Sequence, residues 1–355
     1  MKKQTSFLPG LSIRIPSSSK LLLLDTLLSI IVFVSILSSS SVATPRFRNH
    51  QPHQHKRSVI GIDTNTYLTN DYTMTTTQQS SSSSVPSQPQ GERIRAMFIG
   101  HGSPTLCIEP HHAMNQLLSN KVASQFKNKP PKAVVVFTAH WEAHPHVSIT
   151  FHDSSSTYET IHDFYGFPRE MYEIEYPAKG APQVAARIEQ LLQQQSIPTR
   201  RELKRGLDHG TWVLLKALFP QANIPVVQCS IDERSSVEHH YKIGKALAPL
   251  AYEEVLVIGS GATVHNLGRL SWGKNTPEQW AMDFDQFLID NIAKWNTESL
   301  FKYDKLAPYA KQAVPRSEHF VPLFVAMGMA DETKKGDVLE RFYDFGSLSY
   351  LSFEF

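Results

Sequence analysis

Residues 133–142 read AVVVFTAHWE. Seven uncharged residues, three of them consecutive valines, run into a polar and aromatic end at His140, Trp141 and Glu142. A short, β-branched run of this kind predicts a strand buried on both faces. Working outward, similar runs occur at RAMFIG (95–100), IPVVQCSI (224–231) and EVLVIGSG (254–261). Between them the apolar residues take helical spacing. In PQVAARIEQLLQQQ (182–195), Val184, Ile188, Leu191 and Leu192 share a face. In SVEHHYKIGKALAPL (236–250) the inward set is Tyr241, Ile243, Leu247 and Leu250. A longer helix is predicted over 277–295, with Trp280, Phe284, Phe287, Leu288 and Ile292 in register and Pro277 in its first turn. Another is predicted over Gly210–Phe219. Alternating strands and helices imply an α/β fold: a single globular domain whose central, largely parallel or mixed sheet is flanked by helices.

This pattern begins at Arg93, and what precedes it differs in kind. Residues 1–92 carry eight basic and four acidic side chains, net +4, so residues 93–355 are net −2 within a chain whose total is +2. Residues 1–43 combine a basic, Ser-rich start, an apolar run at 21–37 and small residues around Val42 and Ala43. That layout predicts a secretory signal peptide, with a signal anchor or an organelle presequence as the other readings. The expected destination is therefore the secretory pathway or a membrane, reached only through this segment. Residues 44–92, rich in Ser, Pro and Gln, predict a disordered linker. His50, His53 and His55 belong to it. The folded domain is expected over 93–355.

Near-neutral charge gives no case for nucleic-acid binding. Two cysteines, at 107 and 229, form neither a disulfide framework nor a zinc motif. GSGATVHN lacks the third glycine of a dinucleotide fingerprint, no P-loop lysine follows a glycine-rich turn, and Gly102-Ser103-Pro104 does not make a nucleophile elbow.

The 16 histidines are the unusual feature. Sites in open α/β sheets form beyond the carboxyl ends of strands. Three of the four strongest strand runs deliver a histidine there: His101 in GHGSP, His140 in TAHWE and His265 in GSGATVHNL. His209 in LDHGTW and His319 beside Glu318 in PRSEHF stand at the starts of helical segments, and His162 and Asp163 lie in an aromatic loop. Neutral imidazole is the commonest metal ligand, so the set points to a metal site. Nitrogen and carboxylate donors without a cysteine cluster suit Fe(II), Zn(II), Cu or Mn. His239 and His240 fall mid-helix and are read as surface or packing residues. His111, His112, His144, His146 and His152 are set aside as non-ligands.

In chain order, MFIGHGSP, VVVFTAHWE, TIHDFYGFP, YPAKGAP, LDHGTWVLLKALFP, IPVVQCSID, IGSGATVHNL and FGSLSYLSF resemble the class III extradiol ring-cleavage dioxygenases, most of all their 4,5-DOPA dioxygenase branch. The resemblance spans residues 95–355. It implies an α/β core holding one non-haem metal, with Fe(II) as the working ion and Zn(II) able to occupy the same site. It implies a catechol and O2 as the small-molecule partners. Carried over by motif, His101, His140, His265 and His319 are the metal-site residues, with Glu318 as the fallback ligand. His209 is the implied acid/base, and His265 ligates or shares that role. Trp141, Phe164, Tyr165 and Trp212 are candidates to wall the substrate ring. The plant pigment-making enzymes carry a Pro-containing stretch after the site histidine, where this chain has the generic His265-Asn266-Leu267-Gly268-Arg269. Two other readings stand beside this one. They are a zinc hydrolase using a metal-bound hydroxide and a metal-binding protein without turnover.

Overall fold

The computed structural model describes residues 92–274, 276–331 and 336–355. The expected targeting segment 1–43 and nearly all of the linker lie outside the described residues. Among the described residues no helix is long and apolar enough to cross a membrane.

An eight-stranded mixed sheet organises the fold. Its strands are β1 (Met97–Gly100), β2 (Ala133–Glu142), β3 (Val147–Thr150), β4 (Thr199–Glu202), β5 (Val226–Ile231), β6 (Val255–Gly261), β7 (Asp337–Glu340) and β10 (Ser352–Glu354), in the order β4-β3-β5-β2-β6-β1-β10-β7. The two-residue strands β8 (Tyr343–Asp344) and β9 (Leu348–Ser349) pair separately. The four strands read from sequence are the central ones, and β5, β2, β6 and β1 run parallel. β3 runs antiparallel to β5, and β10 and β7 close the other edge antiparallel.

Side-chain alternation along these strands feeds two cores. Phe98, Val135, Phe137, Val227 and Val257 face helices α1 (Pro182–Gln194), α3 (Val237–Leu247), α4 (Gln279–Ala293) and α5 (Pro322–Gly328). Met97, Ile99, Val134, Val136 and Ile258 face helix α2 (His209–Leu218) and the helical stretch 113–125. Both faces are covered, which is why the central strands read as continuous apolar runs. The expected helix over 277–295 begins at Gln279, with Glu278 as its N-cap residue, so Pro277 lies outside its first turn. The helix over 210–219 begins one residue earlier, at His209.

Glycines of β6 decide how close the site-bearing segment comes to the sheet. A Cβ at Gly261 would collide with the His319 carbonyl oxygen, and one at Gly259 with that of Pro322. The segment is pinned there by Ala262 N–H to His319 O at 2.8 Å and His265 N–H to Ala313 O at 3.1 Å. We expect G261A to force this backbone off the sheet, at a cost of roughly 1–3 kcal/mol typical of overpacking. Urea denaturation of G261A beside wild type measures it, and an unchanged midpoint refutes the close approach.

His240 is a packing residue. It is fully buried, its Nε2 accepts from Asp232 N–H at 3.2 Å and its Nδ1 donates to Ser236 O at 3.0 Å. Burial, chiefly, pushes its pKa from 6.5 down to about 4. The folded ring thus excludes a proton that the unfolded ring binds, so its stabilisation is complete above pH 6.5 and is lost as pH falls toward 4. Between pH 6 and 4.5, stability of H240Q should fall less steeply than that of wild type by up to about 1.4 kcal/mol per pH unit. Parallel curves of unfolding free energy against pH would contradict this.

Candidate metal centre

His101 directly follows β1, His140 lies near the carboxyl end of β2, and His265 comes four residues after β6. These three strands are adjacent in the sheet, so their carboxyl ends open on one place. Helix α2 begins there with His209, and His319 arrives three residues ahead of α5.

His101, His140 and His319 each bring one ring nitrogen to within 4.8 Å of the others. The Nε2 atoms of His101 and His140 are 3.1 Å apart. Each of the three rings has a polar partner at Nδ1. His101 Nδ1 meets Ser260 Oγ at 2.9 Å. His319 Nδ1 donates to Glu318 Oε1 at 3.1 Å, and His140 Nδ1 faces Asp163 Oδ2 at 3.5 Å. The Nε2 of His319 is buried without a partner among the described residues. Burial first, and the neighbouring imidazoles next, hold the pKa values of His101 and His319 well below the usual imidazole value. His140 is lowered by burial and His209 despite the raising effect of Asp163.

The donor set fits a divalent ion. Ring nitrogens converge, one of them lacks a partner among the described residues, and polar groups stand behind the rings where they can take the other N–H. His101, His140 and His319 form one such group. His265 belongs to a second, with Glu318 and His319, and its ring stacks on that of His319 with centroids 3.6 Å apart and planes 12° apart. Burial, then His209, pushes His265 down to about 4.

His209 stands in a third group with His140 and Asp163. Asp163 Oδ1 accepts from both the ring Nδ1–H and the backbone N–H of His209, each at 2.9 Å. Burial pushes the Asp163 carboxyl upward, but the His209 hydrogen bonds and both imidazoles outweigh it and hold its pKa at about 2. An anionic Asp163 fixes the His209 proton on Nδ1 and leaves Nε2 as a base. The loop that brings Asp163 here is held by Ile161 N–H to Leu207 O at 2.8 Å and by His162 Nε2–H to Ile174 O at 3.0 Å.

The aromatic candidates divide. Phe164 sets its edge to His209 at 5.8 Å, Trp141 stacks under the Arg205 guanidinium at 4.8 Å, and Tyr165 is exposed. Trp212 is not at a surface that a substrate reaches: it is fully buried and donates from Nε1 to Ile161 O. The set-aside histidines His112 and His144 pair with Asp344 and Asp232. Sequence reasoning placed Asp163 near the group without a role and missed Ser260. The signal for the latter was a hydroxyl between two strand-end glycines.

Residues 95–353 match the family described as the catalytic LigB subunit of aromatic ring-opening dioxygenase. The chain belongs to this family. It is an oxidoreductase of the extradiol ring-cleavage type. The chain is 39% identical over 260 residues to the 4,5-DOPA dioxygenase extradiol of Beta vulgaris, covering 73% of this chain and 95% of the relative. The protein of the same name from Escherichia coli is 33% identical over 267 residues, covering 73% and 94%. A crystal structure of an uncharacterized Escherichia coli K12 protein superposes with a TM-score of 0.60 at 29% identity, over 74% of this chain and 99% of that one.

Removing one nitrogen of the converging trio should cost more metal affinity than the roughly 10–100-fold of an outer partner. We expect H101A and H319A to lose the ion in equilibrium dialysis while keeping the far-ultraviolet circular dichroism of wild type. Stoichiometric tight binding by either variant would exclude that residue as a ligand.

Proposed function

We propose that the protein is a non-haem, Fe(II)-dependent extradiol dioxygenase that opens the ring of a DOPA-like or related catechol with O2, giving a semialdehyde. The observation that carries this reading is the trio of converging imidazole nitrogens beside a histidine whose Nδ1 meets the Asp163 carboxylate. His101, His140 and His319 would hold the ion, with His265 and Glu318 as the further donors beside His319. Zn(II) would occupy the same donors without redox chemistry. Bound there, Fe(II) supplies a Lewis acid and one meeting point for both catechol oxygens and dioxygen.

The remaining work falls to the chain. His209 Nε2 takes the proton that a catechol hydroxyl gives up, and Asp163 compensates the imidazolium charge that results. The same N–H can then return the proton to an oxygen of the dioxygen as its O–O bond breaks, leaving Nε2 free again. Phe164, packed edge-on to His209, keeps water from that side of the ring. We also propose, from sequence alone, that residues 1–43 direct the chain to the secretory pathway or a membrane. Sequencing the N-terminus of the protein from its native source tests this.

The full chain, purified without oxygen and loaded with Fe(II), should consume O2 and develop a yellow semialdehyde chromophore with at least one of L-DOPA, caffeate and protocatechuate. Iron-bearing protein that is silent with all three would refute the proposal. H209A should lower kcat by roughly 10²–10⁴ while still binding one ion. A kcat near that of wild type would move the acid/base role to His265.

A further inference from the structure

Two hydroxyls sit side by side beneath the trio. Thr138 of β2 and Ser260 of β6 are paired in register. Both are fully buried, and each ties a ligand-bearing strand to the start of α2. Thr138 Oγ1 donates to Asp208 Oδ1 at 2.8 Å and accepts the His140 backbone N–H at 3.2 Å. Ser260 Oγ donates to the Gly210 carbonyl and lies 2.9 Å from His101 Nδ1. Gly210 has no side chain to interfere; a Cβ there would stand 2.8 Å from both His140 Cδ2 and Thr138 Oγ1.

A serine has one hydroxyl proton. A carbonyl oxygen can only accept, so that proton is committed to Gly210. The contact with His101 therefore requires the ring to donate. We infer that Ser260 is a positioning residue that keeps the His101 proton on Nδ1 and presents its Nε2 unprotonated to the ion, while tethering the helix that carries His209. This rests on the reading of the trio as a metal centre. Without the hydroxyl, the buried Nδ1–H loses its acceptor, and the other tautomer gains one. Nε2–H would point at His140 Nε2, 3.1 Å away, and one hydrogen bond would occupy two donor nitrogens. The ion would then have to break that bond before binding.

The test uses the full chain, metal-free and labelled with 15N-histidine, with H101Q to assign the ring signals. Long-range 1H–15N spectra of the wild type should show His101 protonated at Nδ1. In S260A the proton should move to Nε2, and Zn(II) affinity, measured by chelator competition, should fall roughly 10–100-fold. A wild-type His101 protonated at Nε2 overturns the inference, and needs no variant to fold. So does S260A with wild-type tautomer and zinc affinity. A wild type that takes up neither Zn(II) nor Co(II) overturns the metal reading itself, a result distinct from the other two.

Discussion

Two ring nitrogens, His101 Nε2 and His140 Nε2, face each other at 3.1 Å, the first ring buried and the second half-buried. With both nitrogens unprotonated, as proposed above, their lone pairs oppose each other, and a cation held by both would relieve it. The surrounding structure supplies what holds it. The rings of His101, His140 and His319 are met from behind by Ser260, Asp163 and Glu318, so rotating the buried rings of His101 or His319 away would cost a buried nitrogen its partner. The strands beneath them are bonded into the centre of the sheet and buried on both faces. On the proposed reading, binding free energy would not be spent on assembling the ligands, because folding has already brought the three rings together.

That division explains which parts of the molecule were legible in the sequence. Strands covered on both faces must be apolar throughout, so runs such as 133–139 and 254–261 announced themselves. Strand β4, Thr-Arg-Arg-Glu, sits at the sheet edge with both arginines exposed, and carries no such signal. β3, β7 and β10 have three or four residues each, too few for a period to show. The histidines at strand ends were legible because their position follows from topology. Their partners were not. Ser260 lies 159 residues from His101, and Asp163 lies 46 from His209. A tautomer is set by contacts of that range, which composition and spacing do not encode.

Around the site the charges are arranged in bonded sets. Arg205 bonds the His140 carbonyl at 3.2 Å and Asp208 Oδ2 at 3.1 Å, tying β2 to the start of α2. On the far side Arg316 bonds Glu233 at 2.6 Å and Glu142 at 2.9 Å, and its Nε stands 3.6 Å from Glu318 Oε2. Burial raises the Glu318 carboxyl, with Arg316 opposing. One arginine therefore serves three carboxylates, one of which orients His319. Exposed ion pairs of this kind add little stability. Their value here is geometric, since they link the loop after β5 and the end of β2 to the segment that carries His319.

The imidazoles of the centre are not separated by access. His101, His209 and His319 are 2%, 6% and 6% exposed, and the ring of His319 is stacked on that of His265. The side chains of His140 and Asp163 are 20% and 24% exposed. What distinguishes His209 is its partner. Its ring centroid lies 3.9 Å from that of His140, but its Nδ1 meets a carboxylate at 2.9 Å, where that of His101 meets a neutral hydroxyl. A buried imidazole that takes up a proton needs a negative charge beside it. Asp163 supplies that charge to His209, whereas a hydroxyl behind His101 can accept a hydrogen bond without favouring a second proton on the ring.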